Sequence, residues 1–191
     1  MEPQLTADAI DDEVVAYAAQ VFDLARSGDA AVLAQLLDRG LPCNLRNDKG
    51  DGLLMLAAYN GNEPAVLTLL AHGADPNLAN DRQQTPLAAV AFTGNLAIAK
   101  HLVVYGARNA APVPGGRTAL MTAAMFDRAE IASLLLIYGA DPGERDAGGM
   151  TTLDLARTMD ARRAIAVLEH WIAGKPPRPM PEAEAVEAPG R

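Results

Sequence analysis

The chain has 191 residues and a formal net charge of -8; half of it is apolar and only 4% aromatic. That length supports one domain with a core of its own, and small apolar residues suit thin layers between stacked helices. The acidic balance argues against nucleic acid or anionic membrane as partner, because phosphates need a basic face.

Residues 1–12 read as an N-terminal lead, in which Asp8, Asp11 and Asp12, with Glu13 after them, mark where a helix begins, since negative charge favours that end. No apolar run opens the chain, so a secretory signal is not expected, and the most apolar window, 131–138, is short of a membrane span. The expected compartment is the cytoplasm. Val14, Val15, Ala18, Val21, Phe22 and Ala25 lie on one face of a long first helix, and a second runs from about Asp29 to Gly40. The single cysteine, Cys43, excludes an internal disulfide and a cysteine-based zinc site; it reads as a small, partly buried residue beside a turn.

Gly52-Leu53-Leu54-Met55 starts the next helix pair, with glycine as a serviceable but weaker N-cap. Thr85-Pro86-Leu87 starts the third: threonine caps, and proline fits the first helical position, where its missing N–H costs nothing. Gly94 breaks that helix, and Gly106 ends its partner. A Pro- and Gly-rich loop, 110–116, leads to Thr118-Ala119-Leu120-Met121, and Asp127 takes the turn position with strain of about 1 kcal/mol. The last pair carries Asp154, Arg157, Asp160, Arg162, Arg163 and Glu169, the polar load of a terminal cap. Residues 172–191 are rich in Pro, Glu and Ala and read as a disordered tail, with a weak PxxP spacing at Pro176 to Pro179.

These elements repeat. Gly40, Gly73, Gly106 and Gly139 are 33 residues apart; so are Leu54, Leu87, Leu120 and Leu153, and Leu36, Leu69, Leu102, Leu135 and Leu168. The period, with Thr85-Pro86-Leu87, the paired alanines Ala57-Ala58 and Ala123-Ala124, and the closing Gly73-Ala74-Asp75 and Gly139-Ala140-Asp141, resembles the ankyrin-repeat family over residues 13–171. The resemblance implies an all-α solenoid of about five helix-turn-helix repeats, near 13–46, 47–79, 80–112, 113–145 and 146–171, joined by short β-hairpin-like finger loops. The Ala- and Arg-rich, Lys-poor composition suggests a GC-rich bacterial genome.

No catalytic motif is visible: there is no P-loop, no HExxH, no EF-hand loop and no glycine-rich turn after a strand. His72, His101 and His170 lack ligand or nucleophile spacing and read as surface or interface residues. No cofactor or metal is expected, and no enzymatic activity.

Family logic places binding on the fingers and on the first helix of each repeat. The finger positions are Lys49 and Asp51, Arg82 and Gln84, and Arg117, with Met150 at the equivalent place. Two neighbouring rows near the ends of the first helices hold Tyr59, Phe92, Met125 and Thr158, then Asn60, Thr93, Phe126 and Met159. Aromatics and methionine favour interface centres; the alternative is that the rings pack between repeats. The resemblance thus implies a protein-interaction module, monomeric when free, that docks a partner protein on its concave face. The competing readings are a self-assembling structural subunit and a small-molecule binder or enzyme using the finger loops.

Overall fold

The computed structural model describes residues 7–174, with side chains from Ala16 onward. Residues 1–6 of the expected lead and 175–191 of the expected tail, with its PxxP spacing, lie outside the described residues. Each repeat forms two helices. The first helices are α1 (Ala7–Ser27), α3 (Leu53–Tyr59), α5 (Pro86–Thr93), α7 (Ala119–Met125) and α9 (Thr152–Thr158). The second helices are α2 (Ala30–Asp38), α4 (Glu63–Ala71), α6 (Leu96–Val104), α8 (Ala129–Ile137) and α10 (Arg162–Ile172). α1 is three times as long as α3 and begins at Ala7, inside the stretch read as a lead. No described helix is long and apolar enough to cross a membrane.

The first helices pack on one another in series, and so do the second helices, giving two layers of one all-α solenoid. The core between them is the repeated leucine rows: Leu54, Leu87 and Leu120, and Leu69, Leu102, Leu135 and Leu168, are buried. Small residues let the layers approach, with Ala57, Ala58, Ala91, Ala123, Ala124 and Ala156 fully buried. Burial at about 25 cal/mol per Å² of apolar surface makes these layers, which no single repeat could close alone, the main source of stability.

The helix starts follow their caps. The hydroxyls of Thr85 and Thr118 accept from Ala88 N and Met121 N, while Thr151 and Asp154 form a reciprocal capping box. Gly52 supplies no side-chain cap. Gly94 sits at φ 91°, and a Cβ there would fall 2.8 Å from the Arg128 side chain, so both backbone and space require glycine. Cys43 is half-buried and packs against the core.

One row of five positions ties the repeats together in alternating ways. Asp29 and Asn95 cap their own helices, accepting from Val32 N and Ile98 N. Asn62 and Arg128, at the same step, reach back instead to the ending carbonyls of the preceding repeat's first helix: Asn62 to Ala25 O and Arg26 O, Arg128 to Phe92 O. Ala161 can do neither. There the Asp127 carboxylate, from the turn before, accepts from Ala164 N at 2.8 Å and caps α10 from outside.

Candidate functional site

The fingers owe their shape to one Asx residue each. In the second repeat Asn47 Oδ1 accepts from Lys49 N and Asp51 N, and Asn47 N donates to Asp51 O. Asn80 does the same with Arg82 N, Gln84 N and Gln84 O; Asp146 does so with Gly148 N, Met150 N and Met150 O. Antiparallel bridges, Arg46 with Gly52 and Arg145 with Thr151, close the second and fifth fingers. In the fourth finger the equivalent residue is Val113, which cannot accept, and Asn109 is used instead to hold Ala119 N and Leu120 N.

Neighbouring fingers are joined main chain to main chain. Asp81 N donates to Lys49 O, and Ala147 N donates to Gly115 O at the equivalent place. The position between them is Pro114, which has no N–H to give to Arg82 O. The second and third fingers are further tied by Asn80 Nδ2 to Asp51 Oδ1 at 2.8 Å and by Arg46 Nη2 to Asp81 Oδ1 at 2.9 Å. The ladder of fingers therefore has a seam between the third and the fourth.

Below the fingers runs a ladder of rings. Tyr59 and Phe92 are parallel, with centroids 6.3 Å apart; Phe92 meets Phe126 edge to face at 4.6 Å. Such pairs contribute about 0.5–1.5 kcal/mol each beyond area burial. All three rings stay open to solvent, Tyr59 at 50%, Phe92 at 40% and Phe126 at 38%. The two readings of these rows, interface stripe or inter-repeat packing, are thus not exclusive: each ring contacts a neighbouring ring and is also partly exposed.

Seven of the eleven expected residues line one recess of about 530 Å³: Lys49, Asp51, Arg82 and Gln84 from the fingers, and Tyr59, Asn60 and Phe92 from the helices. Asp51 is half-buried and already engaged by Asn80. Asn60 Nδ2 donates to Leu56 O. Among the described residues, Lys49 and Arg82 have no side-chain partner, leaving two free cations at the rim. The remaining four lie elsewhere: Thr93 bonds Val90 O, Met125 is half-buried, Phe126 extends the ring ladder, and Arg117 leans towards Asp146 of the fifth finger at 4.0 Å, away from the seam. Met55, Asn80 and Ala89 also line the recess and were not foreseen. Asn80 was findable, since Asn47, Asn80 and Asp146 share the repeat step.

The pKa of His72, at the end of α4, is raised by its hydrogen bond to the Thr68 carbonyl and then by Asp38; that of Asp154 is lowered by the Thr151 hydroxyl and N–H of the capping box. His101 is buried on α6, its Nε2 2.7 Å from Glu63 Oε1 on the neighbouring second helix α4 and its Nδ1 without a partner. Among the described residues no group of three or more His, Cys, Asp or Glu is placed to hold a metal ion.

A family model for ankyrin repeats (three copies) matches residues 17–112, 54–146 and 88–168. Over 57 residues the chain is 54% identical to an ankyrin repeat protein of Pseudomonas aeruginosa, a stretch covering 30% of this chain and 33% of that protein. The chain therefore matches about a third of that relative's length.

Proposed function

Because the chain belongs to the ankyrin-repeat family, we propose that it is a non-catalytic docking module, acting in the cytoplasm, that holds a partner protein on its concave face. Ankyrin repeats generally mediate protein–protein interaction and are generally non-catalytic. The observation that carries the specific reading is the ring ladder Tyr59–Phe92–Phe126, exposed beneath the finger cations Lys49 and Arg82. The rings supply large, rigid contact area, and the cations steer an acidic or mixed partner surface. The paired second and third fingers hold this floor and rim in one geometry, which reduces the ordering cost of binding. The mechanism is stoichiometric: the bound partner is positioned, or has the bound surface blocked.

The test is affinity capture from the native cell lysate, comparing wild type with Tyr59→Glu/Phe92→Glu by quantitative mass spectrometry. A partner retained by the wild type and lost by the variant, with helical circular dichroism unchanged, supports the reading. Equal retention by both sinks the stripe. A second reading, self-assembly, draws on Tyr17 and Val32, which are 49% and 37% exposed beside Leu24 and Leu36 at the end of the stack formed by α1 and α2. Light scattering that gives a monomer mass at every concentration sets it aside.

A further inference from the structure

A second apolar surface lies on the other layer, at the ends of the second helices. One repeat step connects Tyr105, Tyr138 and Trp171, which follow α6 and α8 and close α10. Tyr138 is 58% exposed, and its neighbours Ile137 and Val104 are 51% and 38% exposed. Tyr105 and Trp171 are half-buried. The same step in the first two repeats holds Arg39 and His72, so the fold itself does not ask for rings here. Since α6 packs on α8 and α8 on α10, the three rings recur at the spacing of packed helices, about 8–10 Å. They make no ring contact with one another.

We propose that this row is a docking track for the chain's own segment 175–181, KPPRPMP, held as a polyproline II strap. The segment starts directly after Gly174, three residues beyond Trp171, so it begins beside the row. Gly174 lies at φ 73°, a left-handed turn that ends the line of α10 and lets the chain change direction. Four of the seven residues are proline, which fixes φ near the polyproline value. That helix has three residues per turn and rises about 3.1 Å per residue, so one turn is about 9 Å and matches the step between rings. Pro176 and Pro179 are three residues apart, one polyproline turn, which matches one step of the row. Seven residues span about 22 Å, enough for the two steps from Trp171 to Tyr105. Lys175 and Arg178, also one turn apart, meet an acidic margin: Asp141 and Glu144, just past Tyr138, are exposed and have no cationic partner among the described residues. Proline on aromatic slots with a basic edge is a recurrent mode of peptide recognition.

Trp171 is the chain's single tryptophan, so the row carries its own reporter. The full-length protein is compared with Pro176→Gly/Pro179→Gly, with Tyr138→Ser, and with the combination, by Trp emission and acrylamide quenching. The substituted prolines follow α10 in sequence, and Tyr138 is exposed, so neither change removes a buried core residue of the described helices. The expected result is a red shift and a raised quenching constant in both variants, with no further rise in the combination, at all protein concentrations. An unchanged Trp171 signal in the proline variant overturns the strap, including when Tyr138→Ser alone changes it, for then Tyr138 merely shields its neighbour. A signal that depends on protein concentration overturns it too, and assigns the row to a second copy.

Discussion

The third and fourth repeats share one length, one pair of helices and one leucine row, yet their fingers are built differently. In the third, Asn80 is 6% exposed and organises its own loop while also holding Asp51 of the second. In the fourth, Val113 stands at that place, 39% exposed, and Pro114 follows where Asp81 donates to the neighbouring finger. The helical layers tolerate this because they depend on apolar burial at positions the two repeats share. The fingers do not, because their order rests on two or three polar atoms that a single substitution removes. The recess lies between the second and third repeats, where fingers are tied, and Arg117 of the fourth stays out of it.

The comparison can be broken most strongly from the ordered side. Asn80→Val gives the third finger the residue of the fourth and strips Arg82 N and Gln84 N of their acceptor. Unfolding in urea is expected to show a loss of about 2–3 kcal/mol, as for buried polar groups left unpaired. The converse change, Val113→Asn with Pro114→Asp, restores both the loop acceptor and the missing donor to Arg82 O. It is expected to gain about 1–2 kcal/mol in the same assay and to slow hydrogen exchange at residue 114. A variant no more stable than wild type would mean that the seam has another cause.

The turns offer a smaller contrast. Gly94 in the third repeat is replaced by Asp127 and Asp160 in the next two, at φ 53° and 51°. Asp160→Gly is expected to stabilise by about 0.5–1 kcal/mol through relief of left-handed strain. Asp127→Gly is expected to gain less or to lose, because it also removes the carboxylate that caps Ala164 N. Equal gains at both sites, read by thermal melts, would refute the capping role.

The smallest effect concerns the row that holds His72 in the second repeat and Tyr138 in the fourth. The folded pKa of His72 is raised above 6.5, first by the Thr68 carbonyl and then by Asp38. The folded state therefore holds that proton more tightly than the unfolded one. The contribution is fully present below pH 6.5 and is lost as pH rises through the folded value. Relative to His72→Gln, the wild type should lose melting temperature across that window; parallel curves would show that the imidazole contributes nothing.

Much of this was legible in the sequence. The glycine and leucine rows alone fixed the helix pairs, because burial and positive φ restrict residue choice at every repeat. Lys49, Asp51, Tyr59, Asn60, Arg82, Gln84 and Phe92 could be placed together from the repeat step and family logic. What escaped were interactions that cross between repeats. Asn62 and Asn95 are the same residue at the same step, yet one reaches back and the other caps its own helix. Asp127 read only as a strained turn, although the uncapped start of α10 at Ala161 was a usable signal for its second role. In the sequence Pro114 reads as loop composition, whereas its missing N–H matters only once the fingers stand side by side.

The most direct test of the docking face is site-specific photo-crosslinking in the native cell, with a benzophenone side chain placed at Phe92 in one variant and at Ile137 in another. A partner crosslinked from position 92 and not from position 137 is the predicted result. Crosslinking from 137 with none from 92 would contradict the concave-face account.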